Sequence, residues 1–223
     1  MPNWVMNELT CIFQTVEEYN AFKTKVAEKN QNEEEEFFNI FVTMPEVLVG
    51  TQSPDVNVPK LIADFNKETV KSVTTLQEIV EANHQWFSPT AKAGIQNQLA
   101  KASTGFSNWY DWNIKNWGVK WDVSDFRTKE LPDFNTVIYS FNTPWDTPET
   151  FVKRLSSLYP NATFEMVSGS IENDTHYEFT CNDGNMEITC SYGSFQEAVE
   201  DGKWGGMNDW ADIFGCQEEE EEV

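Results

Sequence analysis

An α+β fold is what this sequence predicts, and three observations predict it. Two stretches read strand, helix, strand, one at the N-terminus and one after residue 133, while the segment between them, about 50–133, carries helical signals. Near the C-terminus Asn182-Asp183-Gly184-Asn185, a strong hairpin turn, separates two β-prone runs. Two βαβ units in one small domain point to the ferredoxin-like split βαβ arrangement, an antiparallel sheet with both crossover helices on one face. The expected organisation is one domain over 1–217, with a large helical insertion at about 50–133 between the two βαβ units. An extra C-terminal hairpin extension at about 170–216 and an acidic tail at 218–223 complete it.

The elements follow in order. Residues 5–13 alternate, with Val5, Leu9, Cys11 and Phe13 on one side and Glu8 and Thr10 on the other, the period of a half-buried strand. Thr15 and Glu18 form a capping box ahead of Val16, Tyr19, Phe22 and Val26, which step at helical spacing. The apolar run Phe37-Phe38-Asn39-Ile40-Phe41-Val42 then reads as a buried strand that ends at Met44-Pro45-Glu46, closing a right-handed unit. In the second unit residues 136–141 are β-branched and aromatic, and Thr147-Pro148-Glu149 opens a helix carrying Phe151, Val152, Leu155, Leu158 and Tyr159. Pro160 stops that helix, and 163–167 returns as strand.

Inside the insertion, Thr75 and Glu78 start a helix with Leu76, Ile79, Val80 and Trp86 on one side. Ser88-Pro89 starts another, with Ala91, Ile95, Leu99 and Ala102 as its stripe and Gly105 as its stop. A short aromatic helix around Trp109, Tyr110 and Trp112 runs to Gly118, so Trp117-Gly118-Val119-Lys120-Trp121-Asp122 marks the return to the sheet. With Asp183 and Gly184 as the turn residues of the hairpin, Cys181 faces Met186 and Cys190 faces Tyr177, so those thiols do not pair. A further helical turn fits 194–199, and a glycine and aromatic segment runs from Trp204 to Phe214.

Charge restricts the partners. Against 15 Lys+Arg stand 37 Asp+Glu, a formal net charge of −22, and most of such a surface repels a phosphate backbone. The acidic runs 33–36 and 218–222 hold only nine of those carboxylates, so the acidity belongs to the whole body. The four cysteines, Cys11, Cys181, Cys190 and Cys216, show no C-x-x-C spacing and are expected as free, mostly buried thiols. With no signal-peptide pattern and no bilayer-length apolar run, the chain is expected in the cytoplasm, where the sequons at Asn161 and Asn173 stay unused.

Catalytic chemistry is poorly provided for. His84 and His176 are the two histidines, and neither has a carboxylate or serine at a spacing that assembles base, orienter and nucleophile. Phosphate-cradling glycine motifs are absent, and Asn208, Asp209 and Asp212 lack the register of a calcium loop. The expectation is therefore no catalytic residue, no cofactor and no metal. The nine tryptophans stand out instead. One reading makes them walls at the junction of insertion and sheet, each N–H directed at a carbonyl. The other makes Trp4, Trp117, Trp121, Trp145 and Trp204 a partner-binding surface, with Lys120 over an indole or paired with Asp122.

Four motifs in order, Met1-Pro2-Asn3-Trp4, Met44-Pro45-Glu46, the segment from Trp117 to Asp122 and Phe141-Asn142-Thr143-Pro144-Trp145-Asp146-Thr147-Pro148, resemble the YubB-type ferredoxin-like domain family of phages, plasmids and mobile elements. The resemblance spans most of 1–168. It implies a fold and an origin, with no catalytic residues to carry across. The expected function is a non-catalytic interaction protein that binds a host or partner protein with a basic surface, in a sharper form as an acidic nucleic-acid mimic against a host defence protein. Single-stranded nucleic-acid binding on the open sheet face, or an enzyme with an unrecognised site, are the alternatives.

Overall fold

The computed structural model describes residues 3–29, 36–192 and 194–200. The acidic runs at 33–35 and 218–222, the C-terminal part of the extension, Cys216, Trp204 and Trp210 lie outside them. In chain order the elements are β1 (Trp4–Ile12), α1 (Val16–Lys29), α2 (Phe38–Phe41), α3 (Val58–Thr69), α4 (Leu76–Glu81), α5 (Ser88–Thr104), α6 (Trp109–Asn116), β2 (Ser124–Leu131), β3 (Thr136–Pro144), α7 (Glu149–Leu158), β4 (Thr163–Ser170), β5 (Thr175–Asn182), β6 (Asn185–Tyr192) and α8 (Phe195–Glu200). The fold is α+β, with one six-stranded antiparallel sheet in the order β2-β3-β1-β4-β5-β6. Among the described residues no helix is long and apolar enough to cross a membrane.

The chain divides into two compact units, 1–42 with 117–223, and 43–116. Two expectations are corrected here. Residues 37–42 form a helical turn, α2, and the strand they were expected to supply is β2, within the segment assigned to the insertion. The physical cause for α2 is that a short run of five apolar residues and one asparagine has no period that separates strand from helix. The second strand was hidden because β2 is a sheet edge, mostly exposed, with a polar sequence and a bulge between Ser124 and Arg127. The helical segment is accordingly 43–116, not 50–133.

In the first unit the sheet's helix-covered face is aromatic. Phe22 of α1 lies 4.9 Å from the Phe13 ring, 5.1 Å from Tyr159 and stacked at 4.8 Å on Phe41. Phe37 and Phe38 of the α2 turn are fully buried against Tyr139, Phe141 and Phe151. Thr15 caps α1 as expected, its Oγ1 accepting from the Glu18 N–H at 3.2 Å. A buried polar chain crosses the same face: Ser168 Oγ donates to Asn7 Oδ1 at 2.7 Å, and Asn7 Nδ2 donates to Thr143 Oγ1 at 2.8 Å. Thr143 in turn donates to the Asp146 carbonyl at 2.8 Å, so the core fixes the turn after β3.

The β5–β6 hairpin forms with Asp183 and Gly184 both at positive φ, 46° and 76°, the geometry of a type I′ turn. Cys181 faces Met186 as expected, but a register shift beyond Phe179 puts Cys190 opposite Glu178 and not Tyr177. Cys11, Cys181 and Cys190 are free, the first two buried and Cys190 half-buried. The turn docks on α7, where the Gly184 N–H donates to Ser156 Oγ at 2.9 Å. A Cβ on Gly184 would meet Ser157 Oγ at 2.4 Å; that hydroxyl can swing away, which leaves the left-handed backbone as the lasting cost. Gly184→Ala should therefore lose about 1–2 kcal/mol, read as a lower urea midpoint with an unchanged slope.

The second unit is built on helix caps and a small core of Phe65, Leu76, Ile79, Phe87 and Ala91. Thr75 and Glu78 form a complete capping box, and Gly105 ends α5 at φ 83°. The buried face of α5 is Ser88, Ala91, Gly94, Asn97 and Ala100, not the expected stripe through Leu99, which is 61% exposed. Small residues at every third position let the helix approach closely, and a Cβ on Gly94 would sit 2.9 Å from Leu76 Cδ1. Trp86 lies beyond α4 and is 73% exposed, outside the stripe assigned to it. Asn97 and Asn108 both donate to Asp55 Oδ1, at 3.2 and 2.6 Å. Burial pushes the Asp55 carboxyl up, but hydrogen bonds from Ser107, Asn108 and Asn97 outweigh it and hold the group below its ordinary value.

Candidate functional site

The stretch from Trp117 to Asp122 splits into an inner half and an outer half. Gly118 takes φ 89° just past α6, as the helix stop requires. Trp117 points inward: it is 4% exposed, its ring lies 6.0 Å from Phe38, and its Nε1 donates to the Val42 carbonyl at 2.8 Å. Its own carbonyl accepts from the Phe151 N–H, which anchors the first turn of α7.

Asp122 is the second inward group. Its Oδ1 accepts from the N–H groups of Phe37, Phe38 and Val123 at 3.0, 2.8 and 2.9 Å, and its Oδ2 from Asn39 at 2.9 Å. These include the leading N–H groups of α2, donors that a helix start leaves without internal partners. Burial pushes the carboxyl above its ordinary value, and the four N–H groups pull against that without cancelling it. Trp117 and Asp122 are thus committed inside the fold, which removes them from the expected partner surface. The Lys120–Asp122 pairing gives way to the alternative, because Lys120 Nζ sits 4.6 Å from the Trp121 ring centroid.

The outer half belongs to one end of the sheet. Trp121 meets Trp4 edge-to-face at 6.4 Å, and both are half-buried. Trp4 pairs with Pro144, the last residue of β3, and the next residue, Trp145, donates its N–H to the Asn3 carbonyl at 2.8 Å. Asn3 also donates to Asn173 Oδ1 at 3.0 Å, tying in the β4–β5 turn with its exposed Ile171. Trp145 has φ 74° and is 53% exposed. For so bulky a side chain the left-handed region is an outlier that costs about 1–3 kcal/mol. Of the residues singled out in the sequence, Trp4, Lys120, Trp121 and Trp145 come together here.

Two further features bear on function. His176 does have a carboxylate partner, Glu178, with Nε2 and Oε1 2.9 Å apart. The missed signal is elementary, since residues two apart on a strand share a face. The pair is internal, with the His176 side chain fully shielded. His84, expected within a helical run, lies in the α4–α5 connection, its ring 5.2 Å from Phe87 and 6.1 Å from Phe65. On the face opposite the aromatic core the register of the inner strands places Trp4, Met6, Glu8, Thr10, Ile138, Ser140, Asn142, Glu165, Val167, His176, Glu178 and Thr180, with His176 shielded. Their acidic groups are Glu8, Glu165 and Glu178, and their aromatic rings are Trp4, packed on Trp121 at the sheet end, and the buried His176.

What the fold and site define is an α+β protein that gathers indoles at one end of its sheet. No family model and no curated protein matches the sequence. Among solved structures the chain is similar to the crystal structure of a protein api92 from Yersinia pseudotuberculosis, family model DUF1281. The two are 13% identical, with 87% of this chain and 99% of that chain covered at a TM-score of 0.47.

Proposed function

We propose that this chain is a non-catalytic interaction protein of a phage or mobile genetic element, acting in the cytoplasm on a ferredoxin-like frame and binding a host or partner protein with a basic surface. The observation that carries the reading is Trp145. A half-exposed indole on a left-handed backbone, held there by hydrogen bonds to Asn3 and from Thr143, adds strain to the fold, whereas exposed tryptophans are typical interface anchors. The net charge of −22 sets the sign of the partner. Origin in a mobile element is supported by the resemblance of the four motifs to the YubB-type family.

In its sharper form the reading is mimicry of a nucleic acid. A duplex presents one charge per ~1.7 Å of axis, and a compact acidic body can occupy the same basic groove. Single-strand binding on the open face is disfavoured by the carboxylates there. A pull-down from host lysate, washed with rising salt, tests the proposal. The expected result is a basic nucleic-acid-binding protein released at moderate salt; no basic protein retained at any salt overturns it.

A further inference from the structure

We infer that the indole end of the sheet is an anchor for an arginine side chain, with Trp145 as its stacking face; this deepens the reading above and rests on it. Trp145 is placed before any partner arrives. Its N–H is fixed to Asn3, and its turn is fixed through Thr143, Asn7 and Ser168. The backbone that carries the indole is thus fixed before binding, which lowers the ordering cost at this end of the sheet.

The chemistry of the surroundings favours a cation. The segments that meet at this end, 3–6, 120–125, 143–147 and 171–174, carry five carboxylates against one cation, Lys120. Asp122 is used internally, and Asp174 Oδ1 caps the Phe195 N–H. Asp125 Oδ2 accepts from Asn142 Nδ2 and Asp146 Oδ1 from the Thr147 N–H, and together with Glu172 these carboxylates keep this end acidic, Asp146 standing next in sequence to Trp145. Lys120 already rests over Trp121, so a cation–π contact forms in this setting and that ring face is taken. Of the three indoles at this end Trp145 is the most exposed, 53% against two half-buried rings, and so the most open to an incoming cation.

Arginine fits better than lysine. A guanidinium lies flat on an indole, is weakly hydrated and still directs its N–H fork at a neighbouring carboxylate, while an ammonium is a compact, strongly hydrated point charge.

The test compares a short labelled peptide alternating arginine with serine and its lysine counterpart, by fluorescence anisotropy on the full chain at physiological ionic strength. Equal charge cancels the general attraction of an acidic surface. The arginine peptide should bind about 3–10-fold tighter than the lysine peptide, and Trp145→Ala should erase that preference while Trp86→Ala leaves it. No arginine preference in the native chain, or a preference that survives in Trp145→Ala, overturns the inference. The two proposals fail separately: a basic partner captured equally well by Trp145→Ala keeps the interaction reading and removes the arginine anchor.

Discussion

Asp122→Ala is expected to destabilise the sheet-bearing unit by about 3–5 kcal/mol, because one substitution leaves four backbone N–H groups without their acceptor in a buried setting. For a chain of this length that corresponds to a drop in Tm of roughly 6–20 °C, followed by tryptophan fluorescence or calorimetry. Asp122→Asn keeps one acceptor oxygen and brings an NH2 against the N–H groups, so it should fall between. A loss below about 1 kcal/mol for the alanine variant would show that α2 does not depend on this clamp.

The same residue sets a pH dependence. Burial holds the folded carboxyl above its ordinary value, so the folded state binds this proton more readily than the unfolded chain. Its contribution is then fully present below the unfolded pKa of about 3.9 and is lost as pH rises through the folded value. Comparing native chain and Asp122→Asn across that window should show the native chain losing the stability that this group holds, and the variant lacking that component.

Phe38→Ala should cost about 3–5 kcal/mol by opening a cavity where four aromatic rings converge. Phe38 is fully buried, 4.4 Å from Phe151 and about 6 Å from Phe37, Phe141 and Trp117. Phe38→Leu, which retains most of the volume, should lose much less. If both variants unfold at the native urea midpoint, the α2 turn is not part of the core.

These two positions also mark where sequence reasoning stopped. The elements β1, α1, β3, α7 and β4 were legible because each has one buried face and either a cap or a period that reports it, as Thr15 does for α1. α2 was not, since in so short a run the single polar residue, Asn39, cannot set a period. β2 was not, since its side chains answer to solvent and only its backbone answers to β3. Asp122 gave no local signal because its partners lie 83 to 85 residues away, except for Val123. At the site, Trp4, Lys120, Trp121 and Trp145 were visible by composition. That Trp117 turns inward and Trp145 outward depends on α2 and on the φ of a single residue, neither of which is written in the spacing.

The contact between Trp117 and Val42 has a wider meaning. Val42 ends the first stretch of the sheet-bearing unit and Trp117 begins the second, and an indole N–H joins them at 2.8 Å. Exit and re-entry thus share one doorway that the host unit closes with its own atoms. To the sheet, everything from Thr43 to Asn116 is a single loop, and doubling the length of a flexible loop costs only about 0.6 kcal/mol. A change in the length of the segment between Val42 and Trp117 therefore carries only a small chain-closure cost for the sheet-bearing unit.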